Sequence, residues 1–290
     1  MADRLFIPVT RELLPQIKER YPFIYIERGR IEIDDSSVKW IDCNGNVVRL
    51  PIATILTLLL GPGTSITHEA IKVLSDSNCT VCWTGEDSLL FYALGKSPTS
   101  DTRNLRLQAS LSCDDEKALV VAKRMFSYRF PDTDVSEKTL PELMGMEGLR
   151  VRQLYEDMAE KYKVGWTGRS YTPGKFELSD LTNKILTASN TALYSLLLSS
   201  IHALGYSPYL GFVHSGSPLP FIYDLADLYK EHLTIDLAFS MTAKLAGQYK
   251  KNIVAGEFKE RVIECRLLET ISDDISFILT GKHHGSRSRK

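Results

Sequence analysis

Gly95-Lys-Ser-Pro-Thr-Ser100 divides the chain. The segment combines a glycine, a proline and three hydroxyl side chains and offers nothing to a core, so it reads as a linker. On its N-terminal side the apolar residues alternate. Phe23-Ile-Tyr-Ile-Glu-Arg-Gly-Arg-Ile-Glu-Ile33 sets Ile24 and Ile26, then Ile31 and Ile33, on shared faces, the period of a strand. Val38–Ile41 and Val47–Leu50 flank Cys43-Asn-Gly-Asn46, where Asn-Gly signals a hairpin. Ile55–Leu60 is continuously apolar up to Gly61-Pro-Gly63 and reads as a strand buried on both faces. A helix over 67–77, with Thr64 or Thr67 as its cap, and strands at Cys79–Trp83 and Leu89–Leu94 complete this part. On the C-terminal side the apolar spacing is helical over Arg103–Phe130, Leu149–Lys163, Leu178–Leu204, Leu219–Leu245 and Glu257–Leu279. The expectation is an α+β protein: a β-rich N-terminal domain (1–97), a larger all-α domain (98–280), and a basic disordered tail (281–290) without apolar side chains.

The bulk numbers narrow the class. A chain of 290 residues, 43% hydrophobic and with a net charge of −1, is globular and not disordered. Five cysteines, an odd number spread along the chain, argue against a disulfide framework and for a reducing compartment. Cys79-Thr-Val-Cys82 has no second cysteine or histidine pair, so it reads as two buried structural thiols and not as a zinc site. No apolar run approaches the roughly 20 residues of a membrane span, and no signal-type core follows Met1, so a cytoplasmic protein is expected. Walker and dinucleotide-binding glycine patterns are absent, which leaves ATP and NAD chemistry without support. From Lys244 onward ten Lys or Arg oppose six Asp or Glu, a basic balance that suits a nucleic-acid partner.

Chemistry concentrates in Phe221-Ile-Tyr-Asp-Leu-Ala-Asp-Leu-Tyr-Lys230. Asp224 and Asp227 lie three apart and share a helix face that Lys230 continues, and the positions between them are apolar. Such acids read either as an ordinary solvated face or as a carboxylate pair aimed into a cleft, where a divalent cation relieves their repulsion. Upstream, His214 sits in Gly211-Phe-Val-His-Ser-Gly-Ser-Pro-Leu-Pro220, a loop in which it can serve as metal ligand or proton carrier. In Met144-Gly-Met-Glu-Gly-Leu-Arg-Val-Arg152, Glu147 reads as a first-turn acid of the Leu149 helix or as a third oxygen ligand. Hard oxygens with one imidazole suit Mg2+ or Mn2+.

These segments, in this order and with Trp166-Thr-Gly-Arg-Ser-Tyr171 between the second and third, resemble the CRISPR-associated integrase family Cas-one, in the form found in I-E systems. Leu60-Gly-Pro-Gly-Thr64 and His68 are similar too, so the resemblance runs from about Ile24 to Lys230. It implies that Glu147, His214 and Asp227 are metal ligands and that Asp224 is a neighbouring catalytic acid. It further implies that Arg169, Tyr171, Tyr194 and Lys230 contact DNA. The implied function is insertion of prespacer DNA into the repeat array by 3′-hydroxyl attack on a phosphodiester. The implied partners are double-stranded DNA, a second copy of the chain in a homodimer, and the small protein Cas-two. A branched-DNA repair nuclease using the same ligands, or an inactive DNA-binding scaffold, are the alternatives.

Overall fold

The computed structural model describes residues 15–34, 37–85, 91–95, 102–170, 179–245 and 247–282. Most of the expected linker, the tail from His283 and Tyr171 therefore lie outside the described residues. The chain forms two compact units, Met1–Pro98 and Thr99–Lys290.

The first unit is built on two four-stranded sheets. In one, β1 (Tyr21–Ile26) and β7 (Thr80–Thr84) flank β5 (Ile55–Leu60) in parallel, and β8 (Phe91–Gly95) adds an antiparallel edge. β5 is central, and all six of its residues, Thr57 included, are buried, as its largely apolar run requires of a strand covered on both faces. The second sheet runs β4 (Val47–Arg49), β3 (Ser37–Asp42), β2 (Gly29–Asp34), β6 (Thr64–Ile66). The stretch 23–33 is thus not one strand: it turns at Arg28, which takes a positive φ of 51°, and its halves join different sheets. The hairpin at Asn44-Gly45 forms as expected, with the Asp42 carboxylate accepting the Asn44 and Asn46 N–H groups at 2.8 Å each. Helix α1 (His68–Asp76) is capped by the Thr67 hydroxyl. Cys79 and Cys82 are both buried, and burial pushes the Cys79 thiol up to about 12.

The second unit is helical. Its centre is α5 (Leu181–Ala203), which is buried around most of its circumference and packs against α7 (Asp236–Lys244). A helix rich in serine and threonine can be buried this way because the Ser189, Thr191, Ser195, Ser199 and Ser200 hydroxyls each donate to the carbonyl four residues back. Its buried leucines and isoleucines contribute about 1.5–3 kcal/mol apiece. The predicted Arg103–Phe130 helix is two, α2 (Arg103–Ser112) and α3 (Asp115–Arg129). Asp114 ends the first by capping the second, its carboxylate accepting the Lys117 N–H at 3.1 Å. Helix α4 (Leu140–Tyr162) starts nine residues earlier than predicted, because Thr139 and Glu142 close a capping box there. The predicted 219–245 helix divides into α6 (Pro220–Ala226), a π-helical turn at Glu231–Ile235, and α7. The last helix also breaks, into α8 (Lys251–Glu264) and α9 (Leu267–Thr280), at Arg266 with φ 54°. Among the described residues no helix is long and apolar enough to cross a membrane.

Candidate active site

Asp224 organises the site from beneath. It lies on α6, 3% exposed, and both of its carboxylate oxygens are engaged by the loop that precedes the helix. Oδ2 accepts the Phe212 N–H at 2.6 Å and the Val213 N–H at 3.3 Å; Oδ1 accepts the His214 N–H at 3.0 Å. His214 Nδ1 lies 2.8 Å from the same Oδ1. Three backbone donors and an imidazole around one buried carboxylate fix the loop on the helix and set the ring's orientation. The wrap is tight enough to demand a glycine: a Cβ on Gly211 would meet the Pro220 Cβ at 2.5 Å and Asp224 Oδ2 at 3.0 Å. The expectation that both acids of α6 point into a cleft is therefore corrected for Asp224. Its carboxylate points into the loop, where it satisfies the N–H groups of Phe212, Val213 and His214.

Asp227, one turn on, is the acid that reaches the open side. His214 Nε2 faces Asp227 Oδ2 at 3.5 Å, and Lys230 Nζ donates to Asp227 Oδ1 at 2.8 Å. Lys230 also sits over the Tyr194 ring at 5.3 Å, and Tyr194 packs edge-on against Tyr223. Burial pulls the Lys230 ammonium down, but the Asp227 carboxylate and Tyr194 outweigh it and hold its pKa above the ordinary lysine value. The hydrogen bond to Asp224 raises the His214 pKa. Burial works against this, and the charges of Asp227, Asp224 and Glu147 add to the rise.

Glu147 arrives from α4. With the helix beginning at Leu140, it stands in the second turn and not at the N-terminus, so the first-turn reading is overturned. Its carboxylate is ion-paired with Arg129, the last residue of α3, and each side chain is 14% exposed. Glu147, His214, Asp224, Asp227 and Arg129 line one small cavity of about 10 Å3, roughly the space of a single water. On its other side Glu147, Asp227 and Arg129 border a cleft of about 1130 Å3 that Tyr194, Lys230 and Arg169 also line.

The fit to a divalent cation rests on charge and donor type. Three carboxylates stand here against two permanent cations, Arg129 and Lys230, and the imbalance is met by a proton on His214 or by a metal. The donors are hard oxygens and one imidazole nitrogen, as Mg2+ or Mn2+ prefers. Among the described residues no three His, Cys, Asp or Glu side chains stand gathered at coordinating distance.

Of the other expected DNA contacts, Arg169 is turned toward α5: it donates to the Asn183 side chain at 2.7 Å, the Asn183 carbonyl at 3.3 Å and the Thr187 hydroxyl at 3.0 Å. Two residues escaped the sequence reading. Arg129 carries no local signal, since its partner is 18 positions away on another helix. Asn190 lines the cleft with its side-chain oxygen buried and without a hydrogen-bond partner among the described residues.

Comparison with known proteins places the chain. The family model "CRISPR associated protein Cas1" matches residues 129–273, the span that holds Arg129, Glu147, His214, Asp224 and Asp227. A CRISPR-associated endonuclease Cas1 of Chlorobaculum tepidum is 64% identical over 98% of this chain and 96% of its own. A solved TtCas1–DNA complex superposes with a TM-score of 0.79 at 33% identity, covering 92% of this chain and 94% of that one. A chain in a Cas6-RT-Cas1–Cas2 complex shares the fold alone, with a TM-score of 0.67 at 13% identity over 95% of this chain and 37% of that one. By sequence and by fold, this chain belongs to the Cas1 family of CRISPR-associated endonucleases.

Proposed function

We propose that this Cas1 chain is the integrase of CRISPR adaptation in an I-E type system. In this reading it joins the 3′-hydroxyl of a prespacer to a phosphodiester at the edge of a repeat. The observation that carries the reading is the cavity lined by Glu147, His214 and Asp227, of which Glu147 and Asp227 also line a cleft of about 1130 Å3. Glu147, His214 and Asp227 would hold a divalent cation, Mg2+ or Mn2+. When bound, that ion supplies Lewis-acid polarisation of the phosphodiester. His214 donates its Nδ1 proton to Asp224 and keeps the Nε2 lone pair for the ion. Asp224 acts as a positioning residue, holding the loop and the ring. Lys230, poised between Asp227 and Tyr194, binds a phosphate oxygen. Tyr194 braces the splayed DNA end by stacking, a role that the family resemblance also gives to Tyr171 of the Trp166–Tyr171 motif. Arg169 buttresses the cleft wall through α5 and reaches DNA by its outer edge.

The P–O bond to the prespacer 3′-oxygen forms as the P–O bond to the repeat strand's 3′-oxygen breaks; the attacking hydroxyl gives its proton to water and the leaving 3′-oxygen takes one from water, so no external energy source is required. The same site with water as the attacking group is a nuclease. Double-stranded DNA, a second copy of the chain and Cas2 are the partners this reading requires, in the cytoplasm. The family membership supports them, as does the DNA in the TtCas1 complex.

The test compares a labelled prespacer ending in a 3′-hydroxyl with one ending in a 3′-deoxy sugar. Each is incubated with Cas2 and a supercoiled plasmid bearing the repeat. Label joined at the repeat edge only from the 3′-hydroxyl duplex supports integration, provided it is lost with chelator and in Asp227→Ala. Label released by hydrolysis and never joined identifies a repair nuclease, and bound but unaltered DNA a scaffold.

A further inference from the structure

Arg129 stands at the boundary between the two cavities. It borders the small one that holds His214 and also the large cleft, and among the described residues only Glu147 and Asp227 do the same. Its guanidinium has two anchors. One is the Glu147 carboxylate; the other is the face of Phe130, with the guanidinium carbon 4.9 Å from the ring centroid. Arg150 lies against the same ring at 4.4 Å, so two cations share one aromatic support at the mouth of the cleft.

A carboxylate that enters the coordination of a divalent ion cannot keep a full ion pair with a guanidinium. We propose that Arg129 is a phosphate-binding residue for the DNA end which Glu147 holds in check, and that it is freed into the cleft when Glu147 takes up the divalent cation, an inference that rests on the metal site proposed above. A freed guanidinium beside a dication is repelled by it and lacks a counter-ion. The DNA entering the cleft provides phosphates, whose oxygens match its fork of donors. Phe130 remains under it as the pivot. The device makes metal and DNA cooperative: each removes a partner that the other must otherwise displace. Without metal, the ion pair lowers both the negative charge at the ligand cluster and the positive charge in the cleft.

The sign of one effect separates this role from a merely structural one. If Arg129 competes with the ion, Arg129→Gln binds Mn2+ more tightly in the absence of DNA; if Arg129 only supports Glu147, the variant binds it more weakly. Mn2+ affinity is measured by electron paramagnetic resonance on the full chain. Binding of a 3′-dideoxy duplex is measured by fluorescence anisotropy with and without Mn2+. The expectation for Arg129→Gln is a Mn2+ Kd lower by about threefold or more. The metal-dependent gain in DNA affinity should fall by about tenfold, the scale of one charge-assisted contact. Arg129→Lys keeps the charge but not the fork, and is expected to tighten Mn2+ by a smaller factor and to keep part of the DNA gain. It decides the matter alone if Arg129→Gln does not fold. Mn2+ affinity unchanged or weakened in the folded variants overturns the inference. A wild-type chain that shows no Mn2+ site removable by Asp227→Asn sinks the metal reading itself, whatever the Arg129 variants do.

Discussion

Replacing Asp224 by asparagine leaves the volume of the side chain almost unchanged and removes its charge. In the native site one oxygen accepts from Phe212 and Val213, the other from the His214 backbone and the His214 ring, and the carboxylate is 3% exposed. An amide has one oxygen. Turned toward Phe212 and Val213, its NH2 group faces two backbone donors; turned toward His214, it faces one backbone donor and a ring that must change tautomer to accept, and the bonds that survive lose their charge. Buried hydrogen bonds to a charged group are worth about 1.5–3 kcal/mol each, so the loss is about 3–5 kcal/mol against a total stability of about 5–15 kcal/mol. In a domain of this size that corresponds to a Tm lowered by roughly 6–15 °C. Asp227→Asn is the comparison. Asp227 is 12% exposed on its side chain and accepts from Lys230 as its one short side-chain bond in the site, so its replacement is expected to cost about 1 kcal/mol. Urea unfolding followed by circular dichroism measures both, and an unchanged m-value shows that stability alone has moved. Both variants are expected to lose strand joining, but only Asp224→Asn through the fold. If Asp224→Asn unfolds at the wild-type urea concentration, or if Asp227→Asn costs as much, the assignment of Asp224 as the positioning acid is wrong.

Other perturbations probe separate parts of the molecule. Gly211→Ala drives a methyl group into Pro220 and toward Asp224, and is expected to cost about 1–3 kcal/mol in thermal unfolding and to reduce joining with it; full activity at full stability would refute the tight wrap. Asp236 is held down to about 2 although burial opposes it, by hydrogen bonds from Lys161, Tyr162 and Arg261. A carboxyl depressed on folding stabilises above its unfolded pKa near 3.8. Its contribution of about 1–2 kcal/mol is therefore full at neutral pH and fades as pH falls from about 4 toward 2. The stability gap between wild type and Asp236→Ala should narrow over that range, and a constant gap would contradict the assignment. Arg169→Lys is expected to lower stability by about 1–2 kcal/mol through α5 while leaving the salt dependence of DNA binding nearly intact, whereas Lys230→Gln should reduce that slope by about one; the reverse pattern would make Arg169 the main phosphate contact.

Much of this architecture is legible in the sequence where one local pattern settles the matter. The apolar run at Ile55–Leu60 announces a strand covered on both faces, and Asn44-Gly45 announces a hairpin; both are found. Helical spacing locates the helices but not their breaks. Apolar periodicity runs on through Asp114 and Arg266, where a cap or a single left-handed residue ends one helix and starts the next. The start of α4 carries a readable signal, the capping box Thr139-Leu-Pro-Glu142, which moves Glu147 from the helix start into its second turn. Spacing placed Asp224 and Asp227 on one face. It did not reveal that loop N–H groups engage the first and leave the second to the cleft, because that depends on a loop's path. Arg129 is illegible for the same reason, since its meaning comes from a helix end and a helix interior meeting across 18 residues of chain.

The measurement that bears most directly on the account is anomalous diffraction from crystals of the full chain grown with Mn2+. The predicted result is a single strong anomalous peak in the helical unit, ligated by Glu147, His214 Nε2 and Asp227, with Asp224 still bound to the 212–214 loop and Arg129 parted from Glu147. A peak ligated by Asp224, or full Mn2+ occupancy elsewhere with the Arg129–Glu147 pair intact, would contradict it.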